Sequence, residues 1–190
     1  MSKPIASVFF GGELSESIAT RLCEAAIALD PPYVLDKRNM SAFKKKDLEA
    51  LAAAEDKTVG IFILQTIEND QPPEDSGAFL RYFKRKTHST DLLAGKMSFT
   101  VLACGDSNLL LDRQTTTAKD CNKCGQVLDA RLGELGGSRF YDRGETDERT
   151  GMSEVEPWIE GLWPALAKAL EGGEADEADG LDVDKLKVSG

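Results

Sequence analysis

The chain has 190 residues, 41% of them hydrophobic and 29% charged, as in a globular domain that buries a core without disulfides or metals. Its formal net charge of −10 argues against nucleic acids and anionic membranes as partners, because both are bound through basic surfaces. The apolar runs are too short for a membrane span and the N-terminus lacks a secretory pattern, so we expect a cytoplasmic protein.

Short apolar runs typical of strands alternate with segments whose apolar residues recur at helical spacing. The predicted strands cover residues 5–10, 33–35, 59–64, 99–104 and 140–141. The apolar residues of the predicted helices lie at 18–29, 48–51, 79–83, 127–135 and 158–170. Ser15 is expected to cap the first helix, and Pro31 and Pro32 to end it. Strict alternation of five strands and five helices predicts a doubly wound parallel sheet.

Ligands of such sheets bind beyond the carboxyl ends of the strands. Here those ends fall at residues 11–15, 65–73, 104–114 and 142–153. Residues 1–170 are therefore predicted to form one domain that carries its candidate site in these loops. The acidic, glycine-rich segment 171–190 has no apolar periodicity and is predicted to be a tail or an interdomain linker.

The sequence offers no pattern of acid, base or nucleophile for enzymatic catalysis. The single histidine, His88, lies in a polar stretch and is interpreted as a solvated loop residue, which argues against histidine triads and multi-histidine metal sites.

Cys121 and Cys124 form a C-x-x-C pair, whereas Cys23 and Cys104 are expected to be buried among apolar residues. A zinc site needs two more ligands, and a thioredoxin-like pair would follow the first strand. We therefore predict that the pair lies one turn apart on a helix as reduced thiols, with no metal bound.

Four segments, read together, resemble one family. They are the sequence Cys104-Gly105-Asp106-Ser107 after a buried strand, the double-proline loop 70–74, the helix and glycine pair at 128–137, and the closing helix 156–163. Over residues 4–170 the chain resembles the FMN domain of NADPH-dependent diflavin reductases, the group that includes cytochrome, sulfite and methionine synthase reductases. The resemblance implies an α/β fold, a flavodoxin-like doubly wound five-stranded parallel sheet of order 2-1-3-4-5 with helices on both faces.

The resemblance also implies an FMN site in the strand-end loops. The residues it assigns to cofactor binding are Gly11, Gly12, Glu13, Leu14, Ser15, Glu16, Ser17, Gln65, Thr66, Ile67, Glu68, Asn69, Cys104, Gly105, Asp106, Ser107, Leu109 and Asp142.

These loops differ from the family pattern both where the phosphate of the cofactor would bind and where its flavin ring would bind. The phosphate loop 11–17 is about two residues shorter, and only Ser15 and Ser17 supply hydroxyl groups. Glu13 puts a carboxylate where the phosphate would lie, unless it turns outward and leaves the backbone N–H groups of residues 14–16 to bind the anion. Leu109, in the apolar run 109–111, stands where the family has a tyrosine that stacks on the flavin ring.

Two functions follow from the sequence. In the first, the chain is the FMN-binding module of a diflavin oxidoreductase, and passes electrons from a FAD/NADP-binding domain to an acceptor protein with a basic docking face. In the second, it is a flavodoxin-fold interaction module that has lost FMN binding.

Overall fold

A parallel sheet of six strands forms the centre of the residues that the computed structural model describes, 2–109 and 121–172. The strands are β1 (Ile5–Gly11), β2 (Val34–Asn39), β3 (Thr58–Gln65), β4 (Met97–Gly105), β5 (Ser138–Arg139) and β6 (Gly144–Asp147). The helices are α1 (Glu13–Leu29), α2 (Lys45–Ala53), α3 (Gly77–Phe83), α4 (Lys123–Glu134) and α5 (Val155–Leu170). The predicted order 2-1-3-4-5 is confirmed, and β6 also pairs in parallel with β4. None of these helices is both long enough and apolar enough to cross a membrane.

The sheet is buried on both faces, as its apolar central strands predict. Alternate residues of β1 and β3 point to opposite cores: Val8 and Ile61 join one cluster, and Phe9 and Phe62 join the other. The first core is completed by α1 and α5, and the second by α2, α3 and α4. At the carboxyl ends of the strands lie the start of α1 and the loops that follow β3 and β4.

Helix α1 begins earlier than its sequence suggests. Its N-cap residue is Gly12 and its first helical residue is Glu13, so the prediction that Ser15 caps the helix is wrong. Ser15 lies buried within the first turn instead. The helix ends at Leu29, ahead of Pro31, as predicted.

The predicted fifth strand, residues 140–141, is wrong in position, because this segment separates β5 from β6. The backbone N–H of Phe140 still donates to the Phe99 carbonyl, but the Tyr141 carbonyl accepts from the Thr100 hydroxyl, at 2.9 Å. The Asp142 carbonyl accepts from the indole N–H of Trp158, at 3.1 Å. Side chains thus satisfy carbonyl groups that a continuous strand would pair with its neighbour.

Helix α4 is fixed to this interrupted edge by a buried carboxylate. Asp129, 3% exposed at its side chain, accepts two hydrogen bonds of 2.8 Å from Arg139 and one of 2.9 Å from Arg143. The bidentate geometry of the Arg139 pair favours one orientation of α4 against the sheet.

The predicted tail begins at residue 171, and residues 173–190 lie outside the described part of the chain. The division into a domain and a tail stays a prediction.

Candidate functional site

Two cavities lie at the carboxyl edge of the sheet, where the topology places the loops after β1, β3 and β4. The first cavity has a volume of about 700 Å³ and is lined by Gly12, Glu13, Ser41, Gln65, Ile67, Pro73, Glu74 and Asp75. The second has a volume of about 280 Å³ and is lined by Thr66, Ile67, Glu68, Asn69, Asp70, Asp106, Leu109 and Cys121. Ile67 lines both cavities, so the two cavities are neighbours at the end of β3.

The first cavity surrounds the start of α1, and side chains of the protein already bind the N–H groups there. The backbone N–H of Gly12 donates to both carboxylate oxygens of Asp75, at 3.2 and 3.3 Å. The N–H of Leu14 donates to the side-chain oxygen of Gln65, at 3.2 Å. The start of α1 therefore holds an internal anion, the stabilising charge for a helix N-terminus.

One sequence hypothesis has Glu13 turn outward and leave the backbone N–H groups of residues 14–16 to bind the anion. The Glu13 side chain is exposed but still lines the first cavity. The second part of that hypothesis fails for two of its three donors. The Leu14 N–H is bound by Gln65, and the Glu16 N–H donates to the Gly12 carbonyl at 2.9 Å. Ser17 is exposed, and its hydroxyl lies 3.4 Å from the carbonyl of Glu13.

The second cavity keeps two exposed aliphatic side chains. Ile67 is 40% exposed and Leu109 is 41% exposed, although most large apolar side chains of the described residues are buried. Thr66 is buried below them, and its hydroxyl accepts from the N–H of Cys124 at 2.9 Å. Glu68 and Asn69 are exposed, and Asn69 has a left-handed backbone conformation. The second cavity thus presents apolar surface from the loops after β3 and β4.

The Gly105-Asp106-Ser107 turn is held from below by Asp147, the last residue of β6. Its carboxylate accepts from the N–H groups of Ser107 and Arg149, at 2.9 and 3.0 Å. Burial by itself raises the pKa of the Asp147 carboxyl, but these hydrogen bonds and the Arg149 charge outweigh it, so the net pKa is lowered. Asp106 accepts from the Asn108 N–H, and a side chain at Gly105 would collide with the Cys121 carbonyl.

Asp147→Asn should lower the free energy of unfolding by about 1–3 kcal/mol at pH 7, because two backbone N–H groups lose a charged acceptor. The folded-state pKa is lower than the ordinary 3.8, so the stabilisation is present above that pH and is lost as the pH falls below it. Urea unfolding at pH 7 and at pH 3 should show the two proteins converging at the lower pH. The exposed neighbour Glu148→Gln is the matched control. An equal difference at both pH values would contradict the role of the Asp147 charge.

The four cysteines lie in buried or half-buried positions. Cys104 is completely buried, and burial raises the pKa of its thiol to about 12, so it lies beneath the site instead of facing a ligand. No disulfide joins any two of the four cysteines, all of which lie in the described residues. Cys121 precedes α4 and only Cys124 is on it, which corrects the prediction that both lie on one helix.

His88 also differs from its prediction. It is half-buried, and its Nε2 atom lies 2.6 Å from the Tyr82 carbonyl, so that nitrogen carries the proton and donates. Within residues 2–109 and 121–172, no three histidine, cysteine or acidic side chains are grouped as a metal would require.

Asp142, another predicted site residue, lies away from the carboxyl ends of the strands. It precedes β6, whose first residue, Gly144, pairs with Leu102, three positions before the end of β4. The carboxyl end of that edge is instead occupied by Asp147. Sequence reasoning also missed Asp75 and Asn39, although Asp75 follows the double proline that marks the loop. Asn39 was missed because the sequence pattern ends the second strand at residue 35, whereas β2 continues to Asn39.

The site fits the two ends of FMN unequally. The second cavity offers apolar side chains to a flavin ring. The first cavity does not fit the phosphate dianion, because the N–H group of Gly12 already donates its hydrogen bond to the Asp75 carboxylate. Among the described residues that line the two cavities, none is a lysine, arginine or histidine, and six are acidic.

The fold and this edge define a doubly wound α/β domain of flavodoxin type. Residues 14–160 match the Flavodoxin family, and the chain belongs to that family. A solved structure of a flavodoxin from Pseudomonas aeruginosa, a cysteine-to-alanine mutant, superimposes with a TM-score of 0.58 over 86% of this chain and 99% of its own, at 16% identity.

Among characterised proteins, the chain is similar to diflavin reductases. It is 33% identical to methionine synthase reductase of Rattus norvegicus over 168 residues, 87% of this chain and 22% of that protein. It is 30% identical to NADPH–cytochrome P450 reductase of Dictyostelium discoideum over 58% of this chain and 15% of that protein. The chain is thus a flavodoxin-like domain homologous to the FMN domain of diflavin reductases, and it spans about a fifth of the length of the methionine synthase reductases it matches.

Proposed function

We propose that this domain is an electron-transfer module that takes a flavin ring into the second cavity. The observation that carries the proposal is the pair of exposed aliphatic side chains, Ile67 and Leu109, on two loops that line one cavity. Exposed apolar groups that meet in a concave site favour an apolar ligand surface. The flavin would supply the redox chemistry, and the domain would bind, orient and shield it.

In this proposal the domain exchanges electrons with two protein partners, a FAD/NADP-binding domain or reductase and an acceptor. The relatives supply the reason, since their names are those of reductases. The cavity rims carry carboxylates from Glu13, Glu68 and Glu74, all exposed. Such a surface suits acceptor proteins with basic docking faces, because complementary charges speed association and select partners.

Leu109→Tyr tests the position of the ring. A tyrosine there would offer a stacking face worth about 1 kcal/mol, so flavin affinity should rise about fivefold. The measurement is quenching of riboflavin fluorescence on titration with the purified chain.

Leu29→Tyr is the matched control, because Leu29 is also exposed but ends α1 at the opposite edge of the sheet. Its affinity should equal that of the parent. Unchanged or weaker binding by Leu109→Tyr would count against this placement of the ring. If neither parent nor variant binds any flavin at millimolar concentration, the electron-transfer proposal fails, and the interaction-module hypothesis replaces it.

A further inference from the structure

The start of α1 contains a complete internal anion site. Besides the two contacts from the Gly12 N–H, the Asp75 carboxylate accepts from the Asn39 side-chain amide at 2.9 Å and from the Ser76 hydroxyl at 3.2 Å. Asp75 is itself only half-buried, but each of its oxygens has two donors. Three separate segments of the chain, the ends of β1 and β2 and the turn before α3, thus converge on this carboxylate.

The backbone turn at Gly12 is closely packed by neighbouring side chains. Gly12 has a φ of +98°, and a Cβ built on it would lie 2.4 Å from the Gln65 side-chain oxygen and 2.9 Å from the Pro73 ring. Gln65 and Pro73 therefore pack directly on the turn between β1 and α1. The exposed carboxylates of Glu13 and Glu74 line the same cavity and would repel a dianion.

In the second cavity, by contrast, the apolar side chains of Ile67 and Leu109 stay exposed, and no described residue covers them. The two halves of the site therefore differ: one exposes apolar side chains, and in the other the protein's own carboxylate binds the N–H group of Gly12.

We infer that Asp75 takes the place of the flavin phosphate, so that the site selects an uncharged flavin, one without a phosphate group, over FMN. This inference rests on the proposed function for the ring half of the site. The structural basis for the phosphate half is independent of it, because the Asp75 contacts exist without any flavin.

The first experiment compares riboflavin and FMN as ligands of the full chain by fluorescence titration. Repulsion between the dianion and the carboxylates should make FMN bind about fivefold more weakly than riboflavin. In Asp75→Asn, which keeps the side-chain shape, and in Asp75→Ser, which also opens space, the preference should shift toward FMN by about tenfold. Glu74→Gln removes an equal charge from the preceding residue without breaking any contact to the Gly12 N–H, and should shift the preference less than about twofold.

The second experiment needs no flavin. Inorganic phosphate should leave the thermal midpoint of the parent unchanged relative to chloride at equal ionic strength. It should raise the midpoint of Asp75→Ser, whose freed N–H group can bind the anion. Circular dichroism of both Asp75 variants before titration confirms that they are folded.

The outcomes separate the two proposals. If the parent binds FMN more tightly than riboflavin, the role of Asp75 is overturned and the electron-transfer proposal stands. If no flavin binds but phosphate stabilises only Asp75→Ser, the electron-transfer proposal falls and the internal anion is supported. If phosphate stabilises the parent as much as the variant, Asp75 does not occupy the anion site.

Discussion

Replacing Phe79 with alanine should lower the free energy of unfolding by about 3–5 kcal/mol, one of the two largest losses we expect from a single substitution. The side chain is completely buried. Its ring centroid lies 4.9–6.0 Å from those of four other rings. These belong to Phe9 of β1, Phe43 just before α2, Phe62 of β3 and Phe83 of α3. Removing it leaves a cavity that four surrounding rings cannot all move to fill, because each is itself buried in the same core.

Helix α3 depends on this contact more than a longer helix would. It has only seven residues, too few to be stable without tertiary packing. The turn that carries Asp75 leads directly into it, so Phe79 also anchors one side of the candidate site.

Urea unfolding of the parent and of Phe79→Ala measures the loss. Arg81→Ala, an exposed position on the same helix, is the control and should change the free energy of unfolding by no more than about 0.5 kcal/mol. A loss below about 1.5 kcal/mol for Phe79→Ala would contradict the close packing of this cluster.

The central strands could be predicted from the sequence because both faces of them are buried. Residues 59–64 and 99–104 are almost entirely apolar, and β3 and β4 extend only one or two residues beyond them. Burial on both faces leaves no polar positions to interrupt the run, so the pattern alone locates the strand.

The edge strands could not be predicted with the same accuracy. β2 continues through Asp36, Lys37 and Arg38 to Asn39, and those residues are polar because one side of an edge strand faces solvent. The sequence pattern therefore ended the strand at residue 35, and the approach of Asn39 to Asp75 was hidden. At the other edge, hydrogen bonds from Thr100 and Trp158 decide where the strand breaks, and such long-range contacts leave no local signal.

The candidate site, like the sheet, could be predicted from the sequence only in part. The resemblance predicts the site in the loops after β1, β3 and β4, and the fold brings these loops to one edge of the sheet. It did not show which side chains turn inward. Glu13 is the carboxylate that the sequence places at the phosphate position, but it is Asp75, 63 positions after Gly12 in the chain, that accepts from the Gly12 N–H. A contact between residues so far apart in sequence depends on three loops meeting, which composition and spacing do not reveal.

Gly12, in the turn between β1 and α1, combines a left-handed backbone conformation with close packing by neighbouring side chains. Gly12→Ala should lower the free energy of unfolding by about 2–6 kcal/mol. A φ of +98° costs a residue with a Cβ about 1–3 kcal/mol, and the contacts with Gln65 and Pro73 add an overpacking cost of about 1–3 kcal/mol.

Gly133→Ala is the matched control, because a Cβ at Gly133 meets nothing within 4 Å and the residue lies in α4. That substitution should stabilise the protein by up to about 0.5–1 kcal/mol, through the lower conformational entropy of the unfolded chain. Opposite signs for two identical glycine-to-alanine changes, measured by urea unfolding, are the expected result. Equal effects would contradict the close packing of Gln65 and Pro73 on this turn.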